Sequence, residues 1–135
     1  LRKLQVTEVA SPDIAALVET GVTDGPELEQ AAAAAFSELL ARDSAINTVL
    51  LGCTHFPWIA AVFRRVFPAW IALVTQGSIV ADSLRDYLRR HPEISTRLSR
   101  TGCRRYLTTG DPFRISALAS SLTKTEIAFE SAHVQ

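Results

Sequence analysis

Four consecutive residues, Gly52-Cys53-Thr54-His55, hold the side chains best suited to chemistry. A cysteine and a histidine this close can move a proton between them, and the thiolate so formed is either a nucleophile or an acid/base group. Residues 46–51, INTVLL, form a nearly continuous apolar run ahead of them, and Pro57 opens an amphipathic pattern behind. This predicts a strand covered on both faces in a parallel sheet, a tight turn, and then a helix. In open parallel sheets ligands collect beyond the carboxyl ends of the strands, which is where the turn places Cys53. The positive end of a helix dipole and a protonated imidazole would both favour its thiolate form. Gly52 lets a ligand approach the backbone, and the Thr54 and His55 amides with the Thr54 hydroxyl can receive a carboxylate. A small buried cysteine packed behind a turn is the competing reading, since Cys is among the most buried residue types. Turn chemistry alone leaves both open.

The elements that must carry this turn are legible on either side. Leu4 and Val6 alternate with Gln5 and Thr7, the period of a strand with one covered face, and with Val9 one position out of phase a strand is expected over residues 4–9. Ser11-Pro12-Asp13 supplies an N-cap and a proline at the first helical position, predicting a helix over 13–19 that Gly21 can stop. After Asp24-Gly25-Pro26, the spacing of Leu28, Ala32, Ala35, Phe36, Leu39 and Leu40 predicts a longer helix, with Glu27, Glu29 and Glu38 outward. Ile59, Val62, Phe63 and Val66 predict a helix ending before Pro68, and residues 70–74 a strand. Gly77-Ser78 opens a third amphipathic helix with Val80, Leu84, Tyr87 and Leu88 as its buried stripe, closed by His91-Pro92. A polar loop with one helical turn over 93–102, a strand at 106–108, a helix over 113–122 and a last strand over 127–134 complete the chain. Alternating strands and helices with short connections predict an α/β fold, a mainly parallel sheet flanked by helices.

Composition narrows the function classes. The 135 residues are 47% hydrophobic and 21% charged, a globular composition of one-domain size. Fourteen basic and fourteen acidic side chains cancel, and the arginine pairs at 64–65, 89–90 and 104–105 lie among no stacking aromatics, which argues against nucleic acid. The longest apolar runs, such as 31–36, are far short of a membrane span, and no apolar leader opens the sequence, so a soluble cytoplasmic protein is expected. Cys53 and Cys103 form no C-x-x-C pair, which fits a reducing compartment better than a disulfide framework. His91 and His133 have no ligand spacing, and no metal site is expected. With no methionine at any position, the chain is expected to be trimmed, a fragment, or read from a misplaced start.

The segment LGCTHFPW with its preceding apolar strand resembles the second catalytic-cysteine motif of bacterial glutamate racemases. Ser11-Pro12 followed by Leu17-Val18-Glu19 resembles that family's Cys-Pro segment ending in Glu, and Thr108-Thr109-Gly110-Asp111 its later TGD segment. The landmarks occur in the family's order over nearly the whole chain. The resemblance implies cofactor-independent interconversion of L- and D-glutamate for peptidoglycan synthesis, with neither pyridoxal phosphate nor metal. Two cysteines on opposite faces of the α-carbon would exchange its proton, Cys53 being one of them. By the same carry-over His55 assists Cys53, Glu19 orients His55, and Thr54, Gly52 and Ser11 belong to the substrate site.

The family's two-domain fold implies that residues 1–76 form most of the second α/β domain and 77–135 a segment returning to the first. Apolar faces of the later helices and last strand would then be exposed or covered by another subunit, as in a homodimer. Aspartate racemases, which often carry GCTE at this place, are the nearest alternative, and GCTH favours glutamate. A non-catalytic remnant binding a partner or a dicarboxylate is a second alternative. A Cys53 hydrolase is a weaker one, because no separate oxyanion motif is visible.

Three departures from the family pattern stand out. Ser11 replaces a common cysteine, and Val74-Thr75-Gln76-Gly77 lacks the usual aspartate. The family's first catalytic cysteine, in a Cys-Asn-Thr motif, has no counterpart, since Cys103 sits in Thr101-Gly102-Cys103-Arg104. The 135 residues alone are therefore expected to be inactive.

Overall fold

The computed structural model describes residues 4–133. The chain divides into two compact units, Leu1–Gln76 and Gly77–Gln135. In the first, helices α1 (Pro12–Glu19) and α2 (Pro26–Arg42) precede strand β1 (Thr48–Leu51), a 3-10 turn (Phe56–Ile59), helix α3 (Ala60–Val66) and strand β2 (Ala72–Thr75). Both α1 and α2 begin on proline, whose fixed φ suits the first helical position and whose missing N–H would be unpaired there anyway. Gly25, just before α2, has φ +115, a conformation that side chains with a Cβ rarely adopt.

Strands β1 and β2 run parallel, with Thr48 opposite Ala72 and Leu51 opposite Thr75. Their core comes from α1 (Ile14, Val18), α2 (Leu28, Ala32, Phe36), Leu51 of β1, and Ile59, Val62, Phe63, Phe67 and Ile71 of the connection between the strands. Side chains of this size are worth about 1.5–3 kcal/mol each when fully buried. Phe67 stacks on Phe36 with ring centroids 4.5 Å apart and meets the edge of Phe63 at 5.4 Å. Arg65 of α3 pins the start of α2, its Nε donating to Glu29 Oε1 at 2.9 Å and its terminal nitrogen pairing with Asp24.

The second unit carries α4 (Gln76–Arg90, whose first residue ends the first unit), α5 (Pro92–Ser95), β3 (Tyr106–Thr108), α6 (Pro112–Thr123) and β4 (Phe129–Ser131). Strands β3 and β4 are again parallel, Tyr106 facing Phe129. Asp111 caps α6, its Oδ1 accepting from the Phe113 amide at 2.9 Å. The Phe129 amide donates to Ser116 Oγ at 2.8 Å and the Ile127 amide to Ser120 Oγ at 2.9 Å, tying α6 to the approach of β4.

Several expectations need correction. The alternating residues 4–9 form no strand, and Leu4 and Val6 are exposed. Alternation at Leu4 and Val6 marks a face that something must cover, and among the described residues no strand pairs with this segment; it is held instead by Arg42 donating to the Glu8 carbonyl at 2.7 Å. The expected parallel pairing is present, as one two-stranded sheet in each unit. However, β1 is covered on one face only, Leu51 buried while Leu50 is 59% exposed. The strand expected at 70–74 starts at Ala72, leaving Trp70 outside it and exposed. Ser11 stands at the N-cap of α1 without a side-chain capping bond.

The stripe on α4 is not buried: Val80, Leu84 and Tyr87 are exposed, because an amphipathic pattern states what a helix needs rather than what covers it. The last strand is limited to Phe129–Ser131, and Val134 lies outside the described residues. Among the described residues no helix is long and apolar enough to cross a membrane.

Candidate active site

The site is built at the end of β1. Because Leu51 pairs with Thr75, the next residues of both strands, Gly52 and Gln76, leave the sheet side by side, and Gln76 Nε2 donates to the Gly52 carbonyl at 3.1 Å. Cys53, Thr54 and His55 then form an irregular turn closed by the Phe56 amide donating to the Cys53 carbonyl at 3.3 Å. The chain continues as the 3-10 turn, and α3 begins only at Ala60. Cys53 is thus not at the start of an α-helix. The expected dipole contribution is lost with that geometry, since the effect fades within one helical turn.

What remains is a local relay. Cys53 Sγ lies 3.4 Å from His55 Nδ1, and His55 Nε2 lies 3.3 Å from Glu19 Oε1 at the end of α1. The anchor for Glu19 is its neighbour Val18, which is fully buried and so holds the last turn of α1. A carboxylate opposite Nε2 favours the proton there and leaves the lone pair of Nδ1 facing the thiol. In that tautomer His55 can take the Cys53 proton, and Glu19 stabilises the imidazolium that results. Half-buried Cys53 and His55 are partly shielded from water, whereas the Glu19 carboxylate is 57% exposed, so its effect is screened.

Of the residues singled out by sequence, Cys53, His55, Glu19 and Gly52 come together here, with Thr54 exposed on the same turn. Ser11 is half-buried at the opening of α1 and makes no hydrogen bond to the others among the described residues. Cys103 is exposed in an irregular stretch of the second unit, its amide 3.4 Å from Thr101 Oγ1. Gln76 went unrecognised in the sequence, where it stood out only as part of a departure from the racemase pattern. Among the described residues, no three His, Cys, Asp or Glu side chains are arranged to hold a metal ion.

No protein-family model matches the chain. A glutamate racemase of Paracoccus denitrificans is 42% identical over 94 residues, covering 70% of this chain and 34% of that protein. The chain belongs to the glutamate racemase family. Among solved structures, glutamate racemase isoform RacE1 from Bacillus anthracis matches 92% of this chain with a TM-score of 0.77 at 21% identity, over 45% of its own length. A Francisella tularensis glutamate racemase, solved in complex with D-glutamate, matches 89% with a TM-score of 0.72 at 20% identity, over 44% of its length. The chain therefore has the α/β racemase fold and spans about a third of the Paracoccus glutamate racemase and under half of each solved one.

Proposed function

We propose that the chain is the C-terminal portion of a cytoplasmic glutamate racemase that interconverts L- and D-glutamate for peptidoglycan synthesis. In this reading residues 1–76 are most of the second racemase domain and 77–135 return to the first. The observation that carries it is the Glu19–His55–Cys53 relay at the end of β1, in a chain of this family.

Cys53 removes or returns the α-proton on one face of the substrate. An amino-acid α-carbon is a weak acid, so the base must be close, partly desolvated, and able to pass its proton on. His55 supplies that capacity, and Glu19 keeps its ring oriented and stabilises its charged form. Gly52 and Thr54 lie on the turn that would receive the substrate carboxylate, where negative charge develops during proton removal. Ser11 would complete the substrate site. The opposite face requires a second base, which neither the sequence context nor the exposure of Cys103 supports.

The test is exchange of the glutamate α-proton in heavy water, with the chain alone and with the polypeptide extended upstream in its reading frame. Exchange by the extended form, lost on Cys53→Ala, is the expected result. An extended wild type that exchanges neither glutamate nor aspartate would overturn the reading. Net racemisation by the 135 residues alone would overturn the two-cysteine part of it.

A further inference from the structure

We infer that Gln76 is a positioning residue for Cys53: its side-chain amide tethers the Gly52 carbonyl and so fixes the peptide that aims the thiol at His55. The inference rests on the acid/base reading of Cys53. Its starting point is the 3.1 Å bond from Gln76 Nε2 to the Gly52 carbonyl. That carbonyl belongs to the peptide group joining Gly52 to Cys53, so its orientation sets the backbone immediately ahead of the thiol.

Three features make the tether consequential. Gly52 has the broadest backbone freedom of any residue and lies just past the last ladder position of β1, where strand pairing no longer restrains it. The turn behind Cys53 is irregular, closed by the single Phe56–Cys53 backbone bond at 3.3 Å and followed by a 3-10 turn, so no α-helix fixes the thiol from the other side. The Cys53–His55 distance of 3.4 Å is long enough that a modest rotation of the 52–53 peptide would break the contact. Gln76 itself is well held, because it directly follows Thr75, the partner of Leu51 in the register.

The test reads the thiol rather than turnover. In a Cys103→Ser background, Cys53 is the only thiol, and its rate of alkylation by iodoacetamide is followed against pH. Removing one hydrogen bond of ordinary strength should slow alkylation at neutral pH by about fivefold. This is expected for Gln76→Met, which keeps the length and loses the donor, and for Gln76→Ala, provided each retains the wild-type circular dichroism.

His55→Ala should slow the reaction at least as much. Adding Gln76→Met to His55→Ala should then change nothing more, since a residue acting through the thiol–imidazole contact has no effect once that contact is gone. A purely structural role predicts the opposite: a harmless Gln76→Met, or effects that multiply in the double variant, and either result overturns the inference. If Gln76→Met fails while His55→Ala still slows alkylation, the role of Gln76 falls and the relay stands. If His55→Ala has no effect, the relay falls, and the inference with it. Proton exchange by the extended protein tests the racemase reading separately.

Discussion

The two units share a plan and differ in what stands on it. Each joins two parallel strands through a helical connection, residues 52–71 in the first and 109–128 in the second. Every fully buried apolar side chain, from Ile14 to Ile71, belongs to the first unit, and among the described residues the second has none. The second unit relies on polar ties: the Asp111 cap, the Ser116 and Ser120 hydroxyls, and the pair between Arg105, just before β3, and Glu130 of β4. Net contributions of such bonds are about 1 kcal/mol each at best, and less for exposed ion pairs. Matching strand topology therefore does not imply matching stability; the helices α1 and α2, which have no counterpart role in the second unit, make the difference.

Core truncation should separate the units most. Phe63→Ala removes a ring that is 2% exposed and packed on Phe56 and Phe67, and should cost about 3–5 kcal/mol in urea unfolding. Phe129→Ala, removing a half-buried ring beside Tyr106, should cost about 1 kcal/mol or less by the burial lost. Equal costs would break the comparison.

Hydrogen exchange sharpens it without mutation. Amides of α2 and β1 should be the slowest in the chain, and those of α4, β3 and β4 faster by about tenfold for each 1.4 kcal/mol of lower local stability. Protection of α4 equal to that of α2 would show a cover over its apolar stripe that burial does not indicate.

A smaller effect should run the other way. Lys124, which ends α6, has φ +55, a left-handed conformation that costs a residue with a Cβ. Replacing it by glycine should stabilise the second unit by about 0.5–1 kcal/mol, seen as a shift of its own unfolding transition. No shift there would mean that α6 is already frayed at that end.

The smallest effect concerns acid. The Gly25 amide and then Arg65 hold the Asp24 carboxyl below its ordinary range, and Arg105 does the same for Glu130. A lowered folded value means the stabilisation is complete above the ordinary carboxylate range and is lost as pH falls through the folded value. Asp24→Asn should flatten the acid side of the stability profile of the first unit, and Glu130→Gln that of the second. Both carboxylates are exposed, so the changes should be slight and weaker still in high salt. A profile unchanged by either substitution would remove these pairs from the account.

Local signals were the legible ones. Helix α1 follows from a proline at its first helical position and α2 from the spacing of its apolar residues, and Cys53, His55 and Glu19 from motif resemblance. Signals that depend on a distant partner misled or were silent. The alternation at residues 4–9 and the stripe on α4 describe faces that need cover, and sequence cannot supply the cover. The bond from Gln76 to Gly52 depends on β1 pairing with β2 in one register, and a slip of that register would dissolve it. The replacement of a helix start by a 3-10 turn after His55 was likewise invisible, because Pro57 suits the opening of either.

The pairing of β1 with β2 alone also bears on the order of events during synthesis. Among the described residues, the sheet of the first unit is made of β1 and β2 alone, and its buried side chains end at Ile71. Its contacts can therefore close as soon as Thr75 has left the exit tunnel, while later residues are still inside it, since domains emerge and fold from the N-terminal side. The thiol and its histidine would be seated early, before Cys103 has left the exit tunnel.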